Sequence, residues 1–185
     1  MKPDNYFELQ SQSLNDRVKT DASEFVKKVK KQSDNVALAA GDYTIIPIGA
    51  TKEWLERYST RFEATLDWSN EYKVCTIDFR KSILPDMISE IWVLPEVETY
   101  KSEFTRFLKK FFEVDTPYSD NYDVDHFLSR GQVKNPKMFV RLILVPNTVN
   151  RSHGAGFEKA LKEMLEKKPF NNNERINIDA VTYLK

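Results

Sequence analysis

The stretch that most constrains this chain is the apolar, β-rich run Phe139-Val-Arg-Leu-Ile-Leu-Val145. Its β-branched and aromatic content reads as a strand. A short loop upstream lies Asp123-Val-Asp125-His126, and downstream come Asn147 and then Asn150-Arg151-Ser-His153-Gly154. Asn150 is suited to open a helix, because an Asn side chain satisfies the orphan N–H groups of a first turn. The order predicts that residues near 123–128 and 139–146 pair as antiparallel strands, with a helix beginning near Asn150.

The rest of the chain predicts an α+β fold. Leu14, Val18, Ala22, Phe25 and Val29 draw one helical stripe, opposite a face carrying Lys27, Lys28, Lys30 and Lys31 that reads as solvated. Residues 43–48 read as a strand, and residues 52–58 as a short helix after Thr51. Phe62 to Trp68 and Val74 to Phe79 form a hairpin whose turn is expected at Asp67-Trp-Ser-Asn70. Beyond Pro95, a stripe of Val97, Tyr100, Phe104, Phe107, Leu108 and Phe111 predicts a helix packed in the core. Phe157, Leu161, Met164 and Leu165 predict another, and Ile176, Ile178 and Ala180 a last strand. The expected organisation is an N-terminal helical and mixed scaffold or regulatory region, residues 1–115, followed by a catalytic module, residues 116–185.

Composition narrows the function. The 28 basic and 28 acidic residues cancel, so attraction to a nucleic acid would have to be local rather than long-range. With only five glycines and no G-x-G-x-x-G or Walker A run, a glycine-rich phosphate loop is excluded. Cys75 is the single cysteine, which rules out an intrachain disulfide and a cysteine zinc cluster. No run is long and apolar enough to cross a bilayer, and the polar start lacks a signal-peptide core. The expected location is cytoplasmic, or export without a cleaved signal, and no membrane partner is expected.

The segment from Asp123 to Gly154 carries the chemistry. An acidic residue before a histidine, followed by an amide and an arginine at a helix start, supplies a metal ligand, a general base and a phosphate clamp. His126, with an ordinary pKa near 6.5, can be neutral and take a proton from water. Arg130 and Arg151 can meet phosphates, Arg through a bidentate fork, with His153 beside them. Each residue also has a plainer reading. D-x-D-H is commonly a turn or strand end, Asn150 a helix cap, and the cations a solvated face.

The order and spacing of these residues resemble the HNH, or ββα-metal, nuclease family. Asp125-His126 match its D-H, Leu142-Ile-Leu-Val145 its apolar strand, and Asn150-Arg151-Ser-His153-Gly154 its helix-opening N-x-x-K-G. Arg141 departs from the pattern, standing where the family has a loop-bracing amide, so that Asn135 or Asn147 would have to brace the loop. Pro146 and Val149 stand where some members have zinc-binding cysteines.

The resemblance implies a C-terminal ββα-metal nuclease module in which His126 is the general base and Asp125 and Asn150 ligate one Mg²⁺ or Mn²⁺. Arg130, Arg151 and His153 would contact phosphate, while Asp123, Asn147 and Arg141 would support the site or be structural. The expected activity is metal-dependent hydrolysis of phosphodiesters, in DNA more than in RNA, by a toxin or defence effector with a protein partner in a larger assembly. The competing expectation is a non-catalytic adaptor or inhibitor. On the nuclease reading, Arg141→Asn is expected to preserve or raise activity.

Overall fold

The computed structural model describes residues 1–14, 44–83, 87–114, 121–128, 130–133, 135–148, 150 and 175–179. They form an α+β arrangement. Its elements are α1 (residues 3–14), β1 (Thr44–Thr51), α2 (Lys52–Arg61), β2 (Thr65–Ser69), β3 (Val74–Asp78), β4 (Glu90–Val93), α3 (Tyr100–Phe112), β5 (Tyr122–His126), β6 (Met138–Pro146) and β7 (Arg175–Asp179). The strands form one antiparallel sheet in the order β2-β3-β4-β6-β1-β7, with β5 pairing β6 off that path. Strand β6 therefore ties the regions on either side of residue 115 together, because it lies between β4 and β1.

Period-two alternation sends neighbouring residues of the central strands into two different cores. Val74, Ile91, Val93, Val124, Leu142 and Leu144 pack with Tyr6 of α1 and with Phe104, Phe107 and Leu108 of α3. Cys75, Ile77, Trp92, Ala50 and Phe139 pack instead with Leu55 and Tyr58 of α2 and with Phe79. Covered on both faces, all four residues of β4 are buried. The thiol of Cys75 is pushed up out of the reactive range, chiefly by burial.

Several local expectations are met. Thr51 caps α2, its hydroxyl accepting from Trp54 N at 3.4 Å. The aromatic stripe forms α3, but the helix starts at Tyr100, and Val97 is buried ahead of it. The first hairpin differs in detail. Asp67, Trp68 and Ser69 stay in strand β2, and the turn falls three residues later, closed by Lys73 N donating to Asn70 O at 3.0 Å. Asn70, Glu71 and Tyr72 all take positive φ (50°, 54° and 66°). A tight hairpin with the right-handed strand twist demands that conformation, normally supplied by Asn-Gly or Asp-Gly. Placing Glu and Tyr there costs on the order of 1–2 kcal/mol per residue, which is why turn chemistry alone locates the turn too early. Of the helix expected along 14–29, the part beyond residue 14 lies outside the described residues, as does the helix expected around 157–165.

Helix α1 is held by a polar contact with strand β6. Gln10 Nε2 donates to Leu144 O at 2.8 Å, and Leu144 N donates to Gln10 Oε1 at 2.9 Å, both in the buried interior. On the opposite edge of β6, Phe127 N donates to Arg141 O and Asn147 N to Asn121 O, so the odd-numbered residues of β6 serve β5. Leu144 points its peptide groups the other way, and one glutamine side chain stands in for a neighbouring strand. Gln10→Ala would leave both groups buried without partners. At about 1–3 kcal/mol for each buried unsatisfied group, it should lower the unfolding free energy by roughly 2–6 kcal/mol, measured by urea denaturation, whereas Leu9→Ala on the exposed side should cost under about 1 kcal/mol.

Candidate functional site

The two strands that carry the candidate motif are paired as the order of residues demands. Tyr122, Asp123, Val124, Asp125 and His126 lie opposite Pro146, Val145, Leu144, Ile143 and Leu142. Residues 147, 148 and 150 are helical, so Asn150 sits just beyond the end of β6, in a helical stretch. Side chains directly opposite in an antiparallel pair share a face. Val124 and His126 thus face the core of Leu142 and Leu144, while Asp123 and Asp125 face the other way, with Ile143 and Val145.

The acidic face collects oxygen donors. Asn150 Nδ2 donates to Asp123 Oδ2 at 3.2 Å. Asp125 is on the same face two residues on, and its Oδ1 accepts from His126 N at 2.7 Å. Asp123, Asp125 and Asn150 carry hard oxygen atoms, the chemistry that suits magnesium or manganese and disfavours zinc, and Asn150 meets Asp123 through its NH₂ group. Among the described residues, no three His, Cys, Asp or Glu side chains converge on one point. A metal here would therefore depend on the amide and on water for the rest of its shell. The Asn150 contact falls on Asp123, which sequence reasoning placed behind Asp125.

His126 is not part of that group. Its side chain is turned into the core, 7% exposed, with the Tyr100 ring 4.4 Å away at 54°. Among the described residues, Nε2 has no hydrogen-bond partner. Burial, and to a smaller extent the positive charge of Arg130, pushes its pKa down from 6.5 to about 4, so the imidazole is neutral at ordinary pH. Arg130 opens a 3-10 turn in the β5–β6 loop, its guanidinium 5.6 Å from the Tyr100 ring. Tyr100 thus lies against both His126 and Arg130, a role that sequence reasoning missed by assigning the ring only to the helix core.

The loop-bracing question has a local answer. Asn135 Oδ1 accepts from Lys137 N at 3.0 Å, and Asn135 O accepts from Met138 N at 3.0 Å, so this amide fixes the chain where it enters β6. Asn147 takes part through its backbone, donating to Asn121 O at 2.9 Å. Arg141 is structural. Its side chain, 5% exposed, meets Glu90 Oε1 at 3.1 Å. That carboxylate also accepts from Trp92 Nε1 at 3.1 Å and from the Tyr58 hydroxyl at 3.4 Å. An Asn at position 141 would remove the charge that faces the buried Glu90 carboxylate, a cost in stability that the sequence alone does not reveal. Arg151 and His153 lie outside the described residues.

Comparison with protein-family models, with curated proteins and with solved structures finds no match to this chain.

Two predictions follow from these placements. Removing one partner of a buried ion pair typically costs about 3–5 kcal/mol, so Arg141→Asn should destabilise the protein by that order in urea or thermal melts, with any loss of activity tracking loss of fold. The second concerns pH. The unfolded chain protonates His126 near 6.5 and the folded protein only near 4, so between these values the unfolded state binds more protons. Stability from His126 is thus fully present above about pH 6.5 and is lost as pH falls toward 4. Melting temperatures measured in metal-free buffer should fall over that interval, and His126→Phe should flatten the fall. An unchanged profile in the variant would assign the pH dependence to other groups.

Proposed function

We propose that this chain is a metal-dependent phosphodiesterase, an HNH-like endonuclease whose ββα-metal module comprises β5, β6 and the helical stretch from residue 147, acting on DNA in preference to RNA. The observation that carries this reading is the contact of Asn150 with Asp123 at 3.2 Å, on the face that also carries Asp125. It joins the amide of the helical stretch, which begins at residue 147 rather than at Asn150, to the carboxylate strand, the juxtaposition that a ligand set of this kind requires. Asp125 and Asn150 would hold the ion, with Asp123 in support. A divalent ion bound there would neutralise charge on the phosphoryl oxygens and on the leaving oxygen. Arg130 and Arg151 would engage the flanking phosphates. His126 is the general base, and its neutral state suits the role, but to act it must come out from under Tyr100. The setting is a toxin or defence effector recruited by a protein partner.

A second reading is favoured by the burial of His126 on the face away from Asp123 and Asp125. In that case the segment is a structural hairpin and helix, and the chain is a non-catalytic adaptor or inhibitor. Plasmid cleavage by the purified chain in magnesium or manganese separates the two. On the nuclease reading wild type nicks or linearises DNA, and His126→Ala lowers the rate by the factor of about 10²–10⁴ that general-base catalysis contributes. A variant rate within tenfold of wild type would remove His126 from the chemistry, and a wild type inert in both metals would leave the adaptor reading.

Metal binding has its own readout. An ion that binds only the native state raises stability by about 2.7 kcal/mol at a hundred times its Kd. Millimolar Mg²⁺ or Mn²⁺ should therefore raise the wild-type melting temperature in calorimetry. Asp125→Ala should abolish the shift, while His126→Ala retains most of it. No shift in the wild type would contradict the assignment of Asp125 and Asn150 as ligands.

A further inference from the structure

Tyr72 lies at the tip of the β2–β3 turn with its side chain outward, 63% exposed, on backbone with φ 66°. An aromatic residue gains nothing by burial there, and glycine or asparagine would fit the turn with less strain. What the ring does have is company. Lys52 Nζ, from the first residue of α2, lies 4.5 Å from the Tyr72 ring centre and 5.3 Å from that of Trp68. The two rings are 6.4 Å apart at 51°, and Trp68 is anchored in turn against Phe139 of the core at 5.2 Å. The ammonium of Lys52 has Glu56 at 4.0 Å, a pair about half exposed on both sides and hence weak.

We propose that Tyr72, Trp68 and Lys52 form a binding site for single-stranded nucleic acid, the Tyr72 ring stacking an unpaired base and Lys52 meeting the adjoining phosphate. This extends the nuclease reading by giving the substrate an unpaired segment. The chemistry selects the ligand. The ammonium of Lys52 lies against both rings, so a cationic guest would be repelled there, while the exposed part of the Tyr72 ring is a flat surface for a base and Lys52 a cation for its phosphate. A duplex keeps its base faces covered, and only an unpaired base can lie on a ring. Neighbouring acids limit the affinity. Glu53 and Glu56 are on α2, Glu71 is in the turn, and Asp67 on β2 is paired with Lys110 at 2.9 Å.

Fluorescence anisotropy with a labelled twelve-residue oligothymidylate tests this on the full chain, in EDTA so that no cleavage intervenes. Wild type should bind the single strand at least tenfold more tightly than a duplex of equal length. Tyr72→Gly and Tyr72→Asn, both at home at positive φ, should melt no lower than wild type yet bind roughly tenfold or more weakly, as expected for loss of one stacked base. Tyr72→Phe should bind like wild type, and Lys52→Met should weaken binding and reduce its salt dependence. Wild type that binds no oligonucleotide, Gly and Asn variants within twofold of wild type, or equal affinity for duplex would each overturn the proposal. Plasmid cleavage in magnesium, run separately, decides the nuclease reading independently of these results.

Discussion

The carboxylate of Glu90 has no exposed surface, and it accepts from Arg141, Trp92 and Tyr58 in the middle of the sheet. A buried ion pair of this sort adds little net stability over a well-packed apolar pair, but breaking it is expensive. Its consequence here is register. Arg141 lies opposite Trp92, in the part of β6 held between β4 and β1. A slip of one residue would turn the guanidinium into the aromatic core around Tyr6 and Phe104 and bring Leu142 against the Glu90 carboxylate. Strand β5 takes its register from the same β6, so the pair that fixes Arg141 also decides which face Asp125 and His126 take.

Much of the frame was legible in the sequence because it rests on local signals. Thr51 announced α2, the aromatic stripe announced α3, and the apolar run from Phe139 paired with the Asp123 segment as its order required. What escaped depended on partners far away in sequence. Arg141 in an apolar run reads as a surface residue unless Glu90, some fifty positions earlier, is known to meet it. Nothing in the sequence singles out Gln10, and only the fold brings it to the peptide groups of Leu144 in β6. The β2–β3 turn was placed early because Asp67 to Asn70 has ordinary turn chemistry, whereas the residues that turn, Glu71 and Tyr72, do not.

The candidate site was legible in part for the same reason. Proximity of Asn150 to the carboxylate strand follows from a short strand–loop–strand–helix path, which sequence order reveals. The direction of His126 does not, since adjacent residues on a strand share a face only if the strand twists or ends between them. Here it does neither. Phe127 N donates to Arg141 O at 2.8 Å, so the ladder runs on past His126 and holds it in regular alternation.

That ladder sets the condition under which the carboxylates and the imidazole could serve one reaction. Bringing His126 to the side of Asp125 requires release of the Phe127 bond and departure of the imidazole from Tyr100, both at the loop end of the hairpin rather than in its middle. The second movement is eased because, among the described residues, Nε2 has no hydrogen-bond partner to give up. A neutral imidazole whose Nε2 is unsatisfied among the described residues gains hydration on emerging, and this offsets part of the lost packing against Tyr100. Arg130, in the same loop and beside the same ring, is placed so that a phosphate drawing its guanidinium away would disturb the cover over His126 as well. On the proposed nuclease reading, phosphate engagement and exposure of His126 would then be one event, and the Arg141–Glu90 pair that holds β6 against β4 would not have to break for it to occur.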